Sequence, residues 1–397
     1  MKKITIICNA IDDVVRNERN ITTDSPAASR KVFMLADALA DTRVHVDIIS
    51  MGRGKADGRF KFYNLKKIRN GNVNITYLPF THVRFFSELL TFLYLAIITA
   101  CSIAKGGYSD KAVIFYNRLP AYILSLFVSV IFRVKRIIDI EDGEVVANEN
   151  KSLKNKVKSI VPWLYDIFCK DGAMLACSAL SSMTKIEHTT CYYGTVSPVL
   201  RENTAFDGNQ VSILLSGSLS EDTGAELLSN AIRLMRADSD SLRWRNIQFE
   251  ISGQGPSLQS FKDLMNDGGF PTVRVHGRLS NSDYHELLVN CDIGLALKPI
   301  SGALANTTFP SKVVEYANAG LLVISTDISD VRHVLGSDGA IFLSTDSEVE
   351  IINAFDNVVR DMTWSGKTAE EGKNNVLKLL APECASNKLM DFIFRNS

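Results

Sequence analysis

The densest chemical signal in the chain is Asn306-Thr-Thr-Phe-Pro-Ser-Lys-Val-Val-Glu-Tyr-Ala-Asn-Ala-Gly320. Pro310 suits the first turn of a helix, where its missing N–H costs nothing. The unpaired N–H groups of that turn, with Ser311 and Lys312, form a cradle for a diphosphate. Glu315 stands at i+4 from Ser311 and i+3 from Lys312, so the three can share one helical face. A carboxylate there can accept both hydroxyls of a ribose. Gly320 then ends the helix before a buried strand. Taken alone, the segment also reads as a Pro-started helix whose Lys and Glu are simply solvated.

Other strand ends carry weaker signals. Phe249-Glu-Ile-Ser-Gly-Gln-Gly-Pro256 runs a strand into a turn in which Gly253 and Gly255 would let backbone approach a ligand closely. Val273-Arg-Val-His-Gly-Arg-Leu279 offers Arg278 to an anion and backbone groups, ending at Leu279, to a base edge. His276 reads as a half-buried strand histidine. In the first half, Ile138-Asp-Ile-Glu-Asp-Gly-Glu144 follows a strand and ends on several carboxylates. Glu141 or Asp142 could orient an acceptor hydroxyl or act as a base there; a solvated acidic loop capping the next helix is the competing reading. Phe115-Tyr-Asn-Arg-Leu-Pro120 ends another strand, and its Tyr116 and Asn117 can line the same side.

The elements that must position these residues follow from hydrophobic periodicity. The first half predicts strands at 4–8, 44–50, 74–78, 112–116 and 136–140, with helices at 27–40, 89–104 and 122–132. The second half restarts the pattern, with strands at 212–216, 248–252, 272–276, 293–297 and 322–325. Helices at 226–235, 258–266, 282–290 and 310–319 separate them. Short apolar strands joined through helices imply parallel sheets covered on both faces. A chain of 397 residues suits two such domains. The polar stretch Glu202–Gln210 is the expected boundary. The expected division is therefore 1–205, 206–375 and a C-terminal helix over 376–397 that packs back towards the first domain.

Composition narrows the function classes. Charged residues are 22% and hydrophobic ones 46%, which is globular rather than disordered. A formal net charge of zero points away from nucleic acid as a partner, so any anion site must be a local device. The seven cysteines are scattered singly, which argues for reduced thiols in a cytoplasmic protein and against a zinc site. No metal or other cofactor is expected. Residues 89–104 carry no charge, yet a spanning helix wants about 20 residues. With Arg84-Phe-Phe86, and with Lys151, Lys154, Lys156 and Lys158 ahead of Ile160-Val-Pro-Trp-Leu-Tyr165, this apolar run fits peripheral membrane contact. A solvated lysine run beside buried core helices fits the same residues.

The order of the pieces gives them more weight than any one carries. Ser216-Gly-Ser-Leu and Thr223-Gly224, then Ser252-Gly-Gln-Gly-Pro, His276-Gly-Arg-Leu, Cys291-Asp292 and Phe309-Pro-Ser-Lys-x-x-Glu-Tyr closely resemble the C-terminal domain of the group 1 (family four) bacterial glycosyltransferases over residues 211–375. The first half resembles the family more loosely, with Thr23-Asp-Ser-Pro-Ala-Ala-Ser-Arg30 in the loop after the first strand, where members approach sugar and acceptor. The resemblance implies the GT-B architecture, two Rossmann-like doubly wound domains facing a central cleft. It implies sugar transfer from a UDP- or GDP-sugar to a lipid-linked saccharide, with retention, in surface polysaccharide synthesis at the cytoplasmic face of the membrane. Carried onto this chain, Gly217, Ser218, Gly253, Gly255, Arg278, Leu279, Thr307, Pro310, Ser311, Lys312 and Glu315 would bind donor. Asp24, Ser25, Pro26, Tyr116 and Asn117 would face the acceptor, and Glu141, Asp142 and Lys312 would serve catalysis. The chain also departs from the family. Thr307 stands where the first of an acidic pair is usual, and Ser218 and Thr223 stand where an Arg and a Lys are usual. A non-catalytic protein of the same fold that binds another transferase is the alternative.

Overall fold

The computed structural model describes residues 2–40, 44–56, 61–104, 110–141, 153–199, 201, 205–206, 210–301 and 305–394, with the backbone alone at 84 and 153–159. The chain divides into two compact units, Met1–Thr195 with Pro382–Ser397, and Val196–Ala381.

The first unit is built on an eight-stranded sheet. Its order is Thr189–Cys191, Gly172–Leu175, Lys135–Ile140, Lys111–Tyr116, Lys3–Cys8, His45–Ser50, Val73–Tyr77 and Lys66–Asn70. All neighbours are parallel except the last pair, an antiparallel edge that periodicity did not foresee. Strands such as Lys111–Tyr116 are buried along their whole length, as a sheet covered on both faces requires. Helix Pro26–Ala40 and the C-terminal helix Pro382–Phe394 pack together on one face, where Val32, Leu35 and Leu39 meet Leu389 and Phe392 in one core. Helices Arg84–Ile103, Ile123–Ile131 and Leu153–Phe168 belong to the other face. There Ser102 bonds Asp47 and Thr5, and Phe115 meets Tyr165 edge-on.

The second unit has six parallel strands in the order Thr272–Gly277, Ile247–Gln254, Val211–Ser218, Ile293–Ala296, Leu322–Thr326 and Ile341–Leu343. In chain order this is 3-2-1-4-5-6, the doubly wound arrangement whose direction reverses beside its first strand. That reversal is open at its carboxyl end. Val211–Ser218 pairs with Ile293–Ala296 only at Ile213 and Leu214, yet stays paired with Ile247–Gln254 as far as Ser218.

Two boundaries differ from expectation. The second unit begins at Val196, not 206, and Arg201, Phe206 and Ser212 are tied to its sheet through Asp292. That carboxylate lies 3.6 Å from Arg201 and accepts the N–H groups of Phe206 and Ser212. At the other end, helix Met362–Leu380 runs past 375 without a break. Pro382 then sets the stop, since the residue before a proline is driven from helical to extended backbone, and Ala381 has ψ 146°. Most of the stretch read as the boundary, 202–204 and 207–209, lies outside the described residues.

Candidate functional site

The open reversal of the second sheet is filled by side chains from three elements. Helix Lys312–Asn318 supplies Lys312, Glu315 and Tyr316, helix Asn281–Val289 supplies Tyr284, and strand Val211–Ser218 supplies Ser216. Lys312 Nζ lies 2.5 Å from Glu315 Oε2 and donates to the Tyr284 hydroxyl at 2.9 Å. Its ammonium sits 4.5 Å from the centre of the Tyr284 ring, within cation–π range. The Tyr284 hydroxyl is also 3.3 Å from Glu315 Oε2 and 2.9 Å from Ser216 Oγ. Ser216 in turn bonds the Tyr316 hydroxyl, at 2.9 Å through its Oγ and at 3.2 Å through its N–H.

The tyrosines are structural parts of this cluster and were not foreseen. Burial drives the Tyr284 hydroxyl far above its ordinary range, and the neighbouring Tyr316 and Glu315 add to that. Tyr316 is raised by burial as well. Both stay protonated and act as hydrogen-bonding hydroxyls, not as bases. Tyr316 can lie across the strand only because residue 294 has no side chain: a Cβ there would be 2.3 Å from its ring. The signal for Tyr316 was in the motif, immediately after Glu315; nothing in the sequence set Tyr284 apart from an ordinary helix tyrosine.

Of the residues expected to bind donor, the structure groups Gly217, Lys312 and Glu315. A Cβ on Gly217, which has φ +117°, would meet only Lys312 Cε, at 3.8 Å. Ser218 is exposed as the last residue of its strand, and its carbonyl accepts the Thr223 hydroxyl at 2.7 Å. Thr223 is thereby committed to its own turn, in a capping box with Ser220. Gly253 and Gly255 have a different reason from the one expected. A Cβ on Gly253 would stand 1.8 Å from the Gly217 carbonyl oxygen, and one on Gly255 2.2 Å from that of Leu219. These glycines let two chain segments touch, and no ligand is needed to explain them. Arg278 is exposed just past its strand, with Leu279 half-buried beside it. His276 is more exposed than expected, and its ring nitrogen lies 2.5 Å from Glu250. Thr307 and Pro310 are half-buried on the approach to the helix and Ser311 is its exposed N-cap. The helix proper starts at Lys312, two residues later than read. The Pro310 carbonyl accepts from Val313 at 3.0 Å, a tight i to i+3 turn, so proline precedes the helix and does not open it.

The first unit gathers a second cluster. Asp139 and Glu141 lie two apart along one strand end, hence on one face, and both pair with Lys31 from helix Pro26–Ala40. The Lys31 ammonium is 5.6 Å from the centre of the Tyr192 ring. Asp139 has no exposed surface, its Oδ2 has no partner among the described residues, and burial pushes its carboxyl up to about 7. Glu141 adds to that rise and Lys31 opposes it. Burial works against the Lys31 charge, but Asp139 and Glu141 outweigh it and hold the ammonium well above its usual range. Tyr116 closes its strand nearly buried, and the N–H of Asn117, at φ 65°, bonds the Asp139 carbonyl at 2.8 Å. Asp24 is taken up by Arg16 at 2.8 Å, Ser25 Oγ accepts from Ala28 N–H, and Pro26 is the first helical residue. Asp142 lies outside the described residues. Lys31 was missed because it sits on a helix whose apolar stripe gave it no distinguishing mark.

Residues 210–361 match the family model described as "Glycosyl transferases group 1". Chitobiosyldiphosphodolichol beta-mannosyltransferase of Dictyostelium discoideum is 25% identical over 146 residues. That is 36% of this chain and 29% of the relative, so the chain matches less than a third of the relative's length. Sucrose-phosphate synthase from Thermosynechococcus elongatus resembles the whole chain with a TM-score of 0.64 at 14% identity, covering 98% of this chain and 97% of that one. HepE of Anabaena, solved with UDP and glucose, gives 0.65 at 13% identity over 98% and 99%. A variant of S. aureus TarM, solved with UDP and alpha-GlcNAc-glycerol, gives 0.64 at 10% identity over the whole of both chains. The fold is GT-B. The second unit carries the segment that matches the family model.

Proposed function

We propose that the chain transfers a hexose from a UDP- or GDP-sugar to a lipid-linked saccharide, with retention of configuration. The observation that carries this reading is the Lys312–Glu315–Tyr284–Ser216 cluster at the carboxyl end of the second sheet, beside its strand-order reversal, where ligands of doubly wound sheets bind. It lies inside the segment that matches the family.

In this reading Lys312 holds the donor diphosphate. The arriving phosphate competes with Glu315 for the ammonium and frees that carboxylate to accept ribose hydroxyls. Developing charge on the leaving diphosphate then meets a fixed cation and the N–H groups of Ser311 and Lys312. Arg278, exposed and close in sequence to this site, adds a second cation. In the first unit Glu141, oriented by Lys31, takes an acceptor hydroxyl as hydrogen-bond acceptor. The dolichol-linked name of the mannosyltransferase relative supports the choice of a lipid-linked acceptor.

Isothermal titration with UDP and with GDP tests the donor site. One nucleotide binds the wild-type protein, and Glu315→Gln weakens it by about tenfold or more, as expected for a lost hydrogen bond to a charged group. Silence with both nucleotides at millimolar concentration, from a folded protein, sinks the reading. Binding without donor turnover on a membrane extract favours the non-catalytic alternative.

A further inference from the structure

The Tyr284 hydroxyl is a meeting point. Lys312 donates to it at 2.9 Å, Ser216 Oγ lies at 2.9 Å and Glu315 Oε2 at 3.3 Å. A phenol has one proton to give and also accepts, so it can take the lysine bond while donating to Ser216 or to Glu315. The ring serves the same cation. The ammonium sits 4.5 Å from its centre and 6.0 Å from that of Tyr316. One side chain therefore holds Lys312 both through a hydroxyl and through a π face.

Tyr284 is itself firmly placed. It stands in the first turn of helix Asn281–Val289, whose N-cap Ser280 accepts the Asp283 N–H at 3.2 Å. The Tyr284 N–H closes that turn on the Ser280 carbonyl at 2.9 Å. Leu288, one turn on and buried, anchors the same helical face. From the sheet side Ser216 fixes the hydroxyl, and Ser216 is tied in turn to Tyr316 through its Oγ and its N–H. A chain of contacts thus runs from the strand through Ser216 and Tyr284 to Lys312. It places a long, flexible side chain under the control of rigid elements.

Resting on the donor-site reading above, we propose that Tyr284 is a positioning residue that holds the Lys312 ammonium for a donor phosphate without neutralising it. Glu315 supplies the contrast. Its carboxylate also holds Lys312, at 2.5 Å, but its charge cancels that of the ammonium, and a phosphate has to displace it. Tyr284 is a neutral partner, since burial keeps its hydroxyl protonated. When phosphate draws Lys312 from Glu315, the contacts to the phenol oxygen and to the ring can persist. The cation then keeps both its place and its charge. A lysine already held in place loses less conformational freedom on binding than a free one. The Lys312 side chain is 30% exposed, so a ligand can reach the ammonium. Tyr284 touches no substrate here and acts through Lys312.

The test is calorimetric titration of the full chain with UDP or GDP, whichever the wild-type protein binds, and with the matching nucleoside by competition. Tyr284→Phe keeps the ring and removes the hydroxyl, while Tyr284→Leu removes both. Diphosphate affinity should fall by about threefold for the first and about tenfold or more for the second, as the hydroxyl and ring contacts are lost in turn. Nucleoside affinity should stay at the wild-type value in both, since Glu315, the ribose partner, is carried by another helix. A merely structural tyrosine would weaken nucleoside and diphosphate together, and that result overturns the proposal. So does wild-type diphosphate affinity in both variants. Should the leucine variant fail to fold, the phenylalanine variant, which fills the same space, still separates these results. A wild-type protein silent with both nucleotides overturns the donor-site reading and this inference with it, whereas binding that the variants leave intact overturns this inference alone.

Discussion

At the scale of single residues, the two clusters differ in what holds their charges. In the second unit the Lys312–Glu315 pair is partly open to solvent, 30% and 24% exposed, and can exchange partners. In the first unit Asp139 is closed off, and its pKa is linked to folding. Folded Asp139 keeps its proton up to about 7, whereas an unfolded aspartate releases it near about 4. Between those values the folded state binds more protons, so stability falls as pH rises through this window and levels off above it. Asp139→Asn removes the titrating group. Comparing urea midpoints at about pH 5 and about pH 7, the wild-type protein should lose more stability on the rise than the variant does. Equal losses in the two proteins would mean that Asp139 is already ionised in the folded state at the lower pH. Much of the second cluster was legible, because Lys312 and Glu315 sit at helical spacing after a proline. The first was not, because Lys31 and Asp139 are more than a hundred residues apart and a helical lysine has no signature before the sheet brings the two together.

At the scale of elements, the strands and helices were largely readable because both sheets are covered on both faces and their strands are continuous apolar runs. What escaped were short pieces whose identity comes from pairing, such as the edge strand Lys66–Asn70 and the strand Thr189–Cys191. Neither has a hydrophobic pattern of its own; each exists because a neighbour offers unpaired backbone. The glycines show the same dependence on context. Gly253 and Gly217 look alike in sequence, yet one is closed in by backbone and the other faces Lys312. Gly253→Ala should therefore cost at least about 3 kcal/mol, combining a forced backbone shift with a left-handed conformation. Gly217→Ala carries the conformational strain alone, about 1–2 kcal/mol, and acts mainly on nucleotide binding. Chemical denaturation of both variants beside UDP titration checks the pair. Equal stability losses would show that the close contact at Gly253 relaxes without cost.

At the scale of the whole molecule, the chain leaves the first unit after Thr195 and returns to it at Pro382, so the second unit is an insertion between two parts of one core. The return is fixed by aromatic packing. The Phe392 ring stacks on His188 with centres 4.3 Å apart, and the Phe392 carbonyl lies 3.1 Å from the His188 ring nitrogen. Gly172 makes room for it, since a Cβ there would stand 2.6 Å from the ring. These partners are about two hundred residues apart in sequence, and the entropy of closing so long a loop grows only slowly with its length. A local aromatic contact can thus hold the two ends of the core together. Phe392→Ala empties that position and should destabilise the first unit by about 3–5 kcal/mol. Its effect should stay there: Leu389, Phe392 and Ile393 belong to the core of the first sheet, whereas Ser216, Tyr284 and Lys312 are held by hydrogen bonds within the second unit. Thermal unfolding should register the loss while the calorimetric affinity for UDP, measured below the transition, stays at the wild-type value. A fall in UDP affinity matching the loss of stability would instead make the C-terminal helix part of the donor site's support, and the second unit could not be treated as sufficient for binding.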